Sequence, residues 1–255
     1  EIGVRLVGSE MCIRDRPLVV PEVNPQAILK HKGIIANPNC STIIMVMALK
    51  PIYDLAKIKR VIVSTYQAVS GAGKEGIDEL DAQVREHSEG REMTANILPS
   101  ASAEKHYPIA FNLIPQIDVF CDNLYTKEEM KMVNETKKIM EDYEMRITAT
   151  TIRVPVYRSH SESVNIELEK EVDLGAMREA LAKFPGVTVQ DDPSKQEYPM
   201  PLYTSEKDDV YVGRLRRDES CEKSYNMWVV GDQIRKGAAL NTLQIAETMI
   251  KNGWI

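Results

Sequence analysis

The stretch that decides the fold reads Ala36-Asn37-Pro38-Asn39-Cys40-Ser41-Thr42, and an apolar run, residues 43–55, follows it at once. This pattern predicts an extended segment that turns into a helix at Cys40. The first N–H groups of a helix lack intrahelical partners and carry the positive end of its dipole. We therefore expect a lowered thiol pKa, a nucleophilic thiolate, and N–H groups able to stabilise an oxyanion. The alternative is that Cys40 is a small buried residue.

The composition narrows the class of protein. The chain has 255 residues, a net charge of −6, 43% hydrophobic residues and 27% charged residues, which is typical of a soluble globular protein. The acidic balance argues against a nucleic-acid partner, and the apolar runs are too short for a membrane span. No signal peptide and no metal-binding spacing are visible. The scattered cysteines favour a reducing, cytoplasmic setting; they are Cys12, Cys40, Cys121 and Cys221.

Strands and helices alternate after residue 16, and residues 1–16 fit neither pattern, so they are expected to be non-native, or else a mobile native terminus. We predict strands at 33–36, 61–66, 147–156, 163–172, 211–217 and 225–231, and helices at 43–55, 74–88, 126–140, 174–184 and 236–251. Thr126-Lys127-Glu128-Glu129 is a capping box. The faces predicted to be inward carry Met130, Val133 and Met140 in one helix and Ala239, Leu243, Ala246 and Ile250 in the last. The order predicts an α/β to α+β fold with a mixed sheet.

A cysteine nucleophile needs a base and groups that hold its substrate. His160 lies in a loop between two predicted strands, where it is either catalytic or solvated. Arg153 lies on a strand, where a guanidinium could bind a carboxylate or phosphate through two hydrogen bonds, or could simply face solvent.

Other candidates are less specific. Glu128 and Lys131 are three residues apart on a helix, a spacing more typical of a surface ion pair. Gln67 precedes Ser70-Gly71-Ala72-Gly73, which is either a loop that approaches a cofactor closely or an ordinary turn.

Together these segments resemble the aspartate-β-semialdehyde dehydrogenase family, in the form found in Gram-positive and other bacteria. The resemblance runs from residue 17 to about residue 255. Its motifs are Val20-Pro21-Glu22-Val23-Asn24, Asn37-Pro38-Asn39-Cys40-Ser41-Thr42, Thr65-Tyr66-Gln67-Ala68-Val69-Ser70-Gly71-Ala72-Gly73, Ala110-Phe111-Asn112-Leu113-Ile114-Pro115-Gln116-Ile117-Asp118, Arg153-Val154-Pro155-Val156 with His160-Ser161-Glu162, and Gly231-Asp232-Gln233-Ile234-Arg235-Lys236-Gly237-Ala238-Ala239.

The resemblance implies reduction of L-aspartyl 4-phosphate to L-aspartate 4-semialdehyde with NADPH, within the biosynthesis of lysine, diaminopimelate, threonine, methionine and isoleucine. It implies a homodimer and no metal. It assigns Cys40 as the nucleophile that forms an acyl-thioester and His160 as the acid/base. The other implied roles are substrate orientation by Gln67, the α-carboxylate at Arg153, the α-ammonium at Glu128, phosphate at Lys131 and Asn39, and the NADP nicotinamide side at Ser70, Gly71 and Gln233.

The chain departs from the family pattern in one respect: the glycine fingerprint G-x-x-G-x-x-G of the NADP-binding domain is not found in it. We therefore expect residues 17–39 to be the remnant of that domain, 40–235 to be the catalytic and dimerisation domain, and 236–255 to be a helix that returns to the nucleotide-binding domain. Two alternatives to this enzyme stay open. One is a non-catalytic homodimerising domain, and the other is a related acyl-phosphate reductase.

Overall fold

A computed structural model of the chain describes residues 16–255, so Cys12 and nearly all of the segment expected to be non-native lie outside the described residues. Six strands form one mixed sheet in the order β2-β1-β3-β6-β5-β4. They are β1 (Ile58–Gln67), β2 (Arg146–Arg153), β3 (His160–Leu168), β4 (Val187–Val189), β5 (Val210–Arg217) and β6 (Ser224–Gly231). β1 is parallel to β2 and β4 to β5, whereas the other neighbours are antiparallel. The predicted mixed sheet is confirmed.

The helices are α1 (Cys40–Leu55), α2 (Lys74–Ser88), α3 (Lys127–Ile139), α4 (Leu174–Lys183), α5 (Pro201–Thr204) and α6 (Leu240–Lys251). α2 has the predicted bounds, and α3 begins with the predicted capping box between Thr126 and Glu129. A short π-helix, Arg235–Ala239, precedes α6. The strand predicted at 33–36 is reduced to a single bridge between Leu18 and Ala36. Within residues 16–255, no helix is both long and apolar enough to cross a membrane.

α1 is the centre of the core because its sequence is apolar nearly all round. Residues 41–49 have no exposed surface, and the helix packs on β1, β5 and β6 and on α3 and α4. Gly231 of β6 allows this close approach, since a Cβ there would lie 3.0 Å from Cγ1 of Ile44. The packing places the start of α1, and therefore Cys40, at the end of the sheet where β1 and β2 finish and β3 begins.

One predicted inward face is wrong in part and another in full. At α3, Met140 is buried as predicted, but Met130 and Val133 are only half-buried. Met132 and Glu135 are buried instead, because the face toward α1 carries carboxylates as well as apolar groups. In α6, Leu243 is 61% exposed.

The buried residues of α6 are instead Asn241 and Ile245. The side-chain amide of Asn241 donates to the Val19 carbonyl at 2.9 Å and to Oδ1 of Asn37 at 2.8 Å. These hydrogen bonds satisfy a polar side chain on the inward face of α6, whereas the apolar pattern predicted Leu243 on that face.

The sheet face opposite α1 is covered less completely. It exposes part of Tyr66, Ser163 and Trp228, and the two aromatic rings lie 5.5 Å apart between centroids.

Candidate active site

Cys40 is the first residue of α1, as the sequence predicts, and Asn39 caps the helix. Oδ1 of Asn39 accepts the Thr42 backbone N–H at 3.1 Å. The thiol is half-buried, and a Cβ at Gly237 of the π-helix would lie 3.0 Å from Cβ of Cys40. Only a glycine therefore allows the π-helix to cover the nucleophile this closely.

The expected lowering of the Cys40 pKa is wrong for the protein without ligands. Burial, and to a smaller extent the negative charge of Glu128, raise the pKa of the thiol to about 12. Hydrogen bonding at Ser41 and the positive charge of Arg153 oppose this rise without overcoming it. The helix N-terminus acts in the expected direction, but desolvation of a thiolate is the larger effect. The resting protein therefore holds Cys40 as a thiol.

Glu128 connects three of the predicted site residues. Its Oε1 accepts hydrogen bonds from Nδ2 of Asn39 at 2.8 Å and from Nε2 of Gln67 at 3.2 Å. Its Oε2 lies 3.5 Å from Nζ of Lys131, which also lies 3.3 Å from Oδ2 of Asp118. Glu128 is buried, so the alternative that Glu128 and Lys131 form a surface ion pair does not describe this site.

Arg153 is the last residue of β2, and its buried guanidinium is held by two carbonyl groups. Nε donates to the Pro99 carbonyl at 3.2 Å and Nη1 to the Ala68 carbonyl at 2.8 Å. Burial lowers the pKa of Arg153 to about 10, against the opposing effects of Glu128 and Cys40. The group therefore stays charged at neutral pH. Nη2 makes no hydrogen bond to the part of the chain that the structure describes, so this edge can meet a carboxylate.

His160 begins β3 and is fully buried, so it is not a solvated loop residue. Its Nδ1 accepts the Ala68 backbone N–H at 3.1 Å, which leaves the hydrogen of the neutral ring on Nε2. Among residues 16–255, Nε2 has no hydrogen-bond partner. Burial, together with the positive charge of Arg153, holds the pKa of His160 well below its usual 6.5. The ring is thus a neutral donor with an unused N–H.

Gly71 lies between these two side chains. A Cβ there would be 2.7 Å from Nη1 of Arg153 and 3.3 Å from Cε1 of His160, so no other residue fits without displacing one of them. Next to it, the Gln233 side-chain amide donates to the Ser70 hydroxyl, and Oε1 of Gln233 accepts the Ser159 N–H at 2.9 Å.

Ser70 and Gln233 are joined by their hydrogen bond, and the missing side chain at Gly71 leaves space beside the unused Nε2 of His160, where the edge of a flat amide-bearing ring would fit. The glycine fingerprint G-x-x-G-x-x-G does not occur in residues 16–255, the part of the chain that the structure describes. No cluster of three or more His, Cys, Asp or Glu residues in this part is placed to hold a metal ion.

Two buried carboxylates were missed in the sequence. Glu135 lies on α3 seven residues after Glu128, and this helical spacing on one face could have revealed it. Glu162 lies on β3 two residues after His160, on the same face of the sheet, and neither of its oxygens has a hydrogen-bond partner within the described residues. Burial raises the pKa of Glu162 well above its usual range and so favours its protonated form.

Comparison with known proteins identifies the family. Residues 49–236 match the family model described as the semialdehyde dehydrogenase dimerisation domain. The chain is 55% identical to the aspartate-semialdehyde dehydrogenase of Aquifex aeolicus, over 99% of this chain and 74% of that protein. It is 52% identical to the enzyme of the same name from Bacillus subtilis, over 92% of this chain and 68% of that protein.

Solved structures show the same relationship. The aspartate semialdehyde dehydrogenase II of Vibrio cholerae complexed with ASA has a TM-score of 0.86 and 47% identity, over 93% of this chain and 68% of that chain. The aspartate semialdehyde dehydrogenase of Candida albicans with NADP has a TM-score of 0.71 and 25% identity, over 97% of this chain and 71% of that chain. Fold and sequence identity agree, and the chain belongs to the aspartate-semialdehyde dehydrogenases, a family of oxidoreductases.

Proposed function

We propose that the protein carries out the NADP-dependent reduction of L-aspartyl 4-phosphate to L-aspartate 4-semialdehyde through a thioester on Cys40. The observation that carries this is the position of two opposite charges around one thiol. Glu128 and Arg153 both act on the Cys40 pKa, in opposite directions, and both are buried. A buried carboxylate and a buried guanidinium near one nucleophile are complementary to the ammonium and carboxylate of an α-amino acid. This pair argues against an acyl-phosphate reductase for a substrate that lacks those groups.

The first step joins sulfur to carbon. The Cys40 thiolate attacks the C4 carbonyl of the acyl phosphate, the tetrahedral oxyanion collapses, and the C–O bond to phosphate breaks to leave the thioester. The Thr42 N–H is used by Asn39, so the N–H groups of Cys40 and Ser41 are the helix donors that can meet the oxyanion. Gln67, held by Glu128 at 3.2 Å, would orient the substrate at the thiol.

Reduction then releases the aldehyde. NADPH, when bound, supplies the hydride that reduces the thioester carbonyl, and the C–S bond breaks as the aldehyde leaves. Ser70, Gly71 and Gln233 would hold the nicotinamide side. The choice of NADP as cofactor is supported by the Candida albicans enzyme, whose structure is one with NADP. The product would enter the synthesis of lysine, diaminopimelate, threonine, methionine and isoleucine.

His160 is the proposed acid/base. In the structure it faces the site with Nε2–H, so it meets a substrate oxygen as a donor. To accept the Cys40 proton at Nε2, the ring must carry its other hydrogen on Nδ1, which requires the hydrogen bond from Ala68 to break. Substrate binding would also have to lower the Cys40 pKa, and partial neutralisation of Glu128 by the substrate ammonium acts in that direction.

Phosphate binding is proposed at Lys131 and Asn39. Nζ of Lys131 has two carboxylate neighbours, Asp118 and Glu128, so an incoming phosphate competes with Asp118 for this ammonium group. The Asn39 amide uses Oδ1 for the Thr42 N–H and one hydrogen of Nδ2 for Glu128. The second hydrogen of Nδ2 has no acceptor within the described residues, so Asn39 can donate it to a phosphate while the hydrogen bond to Glu128 stays in place.

A homodimer is proposed from the match to a dimerisation domain. The open face of the sheet, which carries Tyr66, Ser163 and Trp228, is the surface we assign to this contact, since the helices α1, α3 and α4 cover the other face.

The test of the function is to trap the thioester. The chain is incubated with aspartyl phosphate without nucleotide, and peptide mass spectrometry locates the aspartyl adduct. We expect the adduct on Cys40 in the wild type and none in Cys40→Ser. The exposed Cys221 is the internal control, because an adduct there as well as on Cys40 in equal yield would mean non-specific acylation and contradict the proposal. A second measurement, NADP affinity, separates an enzyme from a non-catalytic dimerising domain.

A further inference from the structure

Glu135 is a buried carboxylate next to the nucleophile to which the proposed reaction gives no role. It lies on α3 on the same face as Glu128 and Lys131 and is 2% exposed. Its Oε2 accepts the backbone N–H of Asn39 at 2.7 Å. This N–H belongs to the residue that directly precedes Cys40.

The contact completes a set of restraints on Asn39. The Asn39 carbonyl accepts the Ile43 N–H at 2.9 Å, and its side chain bonds to Thr42 and to Glu128. Two of these bonds lie within α1, whereas those to Glu128 and Glu135 tie the same residue to α3. The peptide that leads into Cys40 is therefore held by two helices at once.

We propose that Glu135 is a positioning residue, whose hydrogen bond to the Asn39 N–H fixes the Asn39–Cys40 turn and so directs the Cys40 thiol toward the acyl carbonyl. The proposal rests on the proposed role of Cys40. A backbone donor requires only an acceptor at the right distance, so reach matters here more than charge. A displacement of about 1 Å at a nucleophile can lower the rate by about a hundredfold.

The charges around Glu135 are consistent with a carboxyl group that acts through the position of its acceptor oxygen. Burial and the charge of Glu128 raise the pKa of Glu135 to about 7, while the Asn39 N–H, the charge of Lys131 and the Thr42 hydroxyl oppose the rise. Asp118 reaches this cluster through its ion pair with Lys131. Either form of the carboxyl, charged or neutral, has an oxygen that can accept the Asn39 N–H.

Two substitutions separate reach from charge. Glu135→Gln keeps the acceptor at the same length and removes the charge, whereas Glu135→Asp keeps the charge and withdraws the acceptor by one methylene. We expect kcat to stay within about threefold of wild type in Glu135→Gln. In Glu135→Asp we expect it to fall by about tenfold or more, with KM for aspartate semialdehyde within about twofold. If Glu135→Gln is the more impaired of the two, charge is what matters and the proposal is wrong.

A matched control is Glu129→Asp. Glu129 is a buried carboxylate of the same helix, but its oxygens accept from the N–H groups of Thr126 and Thr151 rather than from Asn39. Glu129→Asp should lower the melting temperature without the drop in kcat. An equal drop in kcat in both Asp variants at equal loss of stability would reduce Glu135 to a structural residue.

A readout without substrate keeps this test separate from the proposed reaction. The rate of Cys40 alkylation by iodoacetamide, resolved by peptide, should change in Glu135→Asp and not in Glu135→Gln or Glu129→Asp. An unchanged alkylation rate in Glu135→Asp overturns the positioning role even if Cys40→Ser is inactive. A changed rate, with no thioester on Cys40, would instead leave the positioning intact and remove the proposed function.

Discussion

The backbone N–H of Ala68 donates to Nδ1 of His160 at 3.1 Å, and the Ala68 carbonyl accepts from Nη1 of Arg153 at 2.8 Å. One residue of the main chain thus sets the tautomer of the proposed acid/base and the direction of the proposed carboxylate-binding group. Because Ala68 directly follows Gln67, the end of β1 aligns three side chains of the site.

His160 is expected to make stability fall in acid. Its pKa is held well below 6.5 in the folded protein, so below pH 6.5 the unfolded state binds a proton that the folded state does not. The free energy of unfolding should therefore decrease as pH falls below about 6.5, and His160→Gln should remove part of this slope. Urea unfolding of both proteins between pH 5 and pH 8 measures it; parallel curves would contradict the burial of a neutral ring.

Glu135 is expected to lower the free energy of unfolding as pH rises, whereas His160 lowers it as pH falls. Its pKa in the folded protein, about 7, lies above the ordinary 4.5, so the folded state binds the extra proton between these values. The contribution of Glu135 is therefore fully present below about pH 4.5 and is lost as pH rises through 7. Glu135→Gln should become more stable relative to wild type over this range, by up to roughly 3 kcal/mol. A difference between the two proteins that does not vary with pH would show that Glu135 has an ordinary pKa.

Arg153→Lys should weaken substrate binding more than it slows chemistry. An ammonium cannot donate to the Pro99 and Ala68 carbonyls and still present a planar edge to a carboxylate. We expect KM for aspartate semialdehyde to rise by about tenfold or more, on the scale of one lost charge-assisted hydrogen bond, with a smaller change in kcat. Steady-state kinetics give both values. An unchanged KM would show that Arg153 does not bind the substrate carboxylate.

Gly231→Ala should destabilise the fold, and a smaller residue at Ile44 should compensate. A Cβ at position 231 would lie 3.0 Å from Cγ1 and 3.3 Å from Cδ1 of Ile44, so α1 must shift or the side chain must adopt a strained rotamer. We expect a loss of about 1–3 kcal/mol from Gly231→Ala. Ile44→Ala removes all three contacting atoms, Cγ1, Cγ2 and Cδ1, and alone should cost about 2–5 kcal/mol. Chemical denaturation of the double variant should show a loss smaller than the sum of the two; additivity would indicate that α1 does not rest on Gly231.

Trp228→Arg should dissociate the proposed dimer. Trp228 lies on the open face of the sheet beside Tyr66, and a charge at the centre of an apolar contact lacks a partner. Sedimentation of wild type and variant gives the masses, and Lys195→Glu, a change at an exposed residue of a separate loop, is the control. If Trp228→Arg remains dimeric, the contact lies elsewhere.

Local patterns predicted the fold well where the determinants are local. The bounds of α2 and the capping box of α3 follow from residues within one or two turns, and both are confirmed. β-Branched runs located the longer strands to within a few residues, and the family motifs brought the site residues together on one end of the sheet. The roles of these residues remain predictions that the experiments above test.

The predictions that were wrong concern properties set by residues that are distant in the sequence. The Cys40 pKa follows from how far α1 is enclosed by the sheet and by α3, and no local pattern contains that information. The inward face of α6 is set by Asn241, whose partners Val19 and Asn37 are far away in sequence. The sequence pattern does not single out Glu135, because a carboxylate on a polar helix is normally solvated. Only the packing of α3 against Asn39 buries it.

The contact between Gly237 and Cys40 also has a consequence for biosynthesis. These residues are far apart in the sequence, yet Cβ of Cys40 lies against the π-helix that contains Gly237. A ribosome releases the cysteine long before it releases the segment that covers it, and folding proceeds from the N-terminal side as the chain emerges. The Cys40 thiol is thus synthesised well before Gly237, and the π-helix can cover it only after that later segment has left the ribosome.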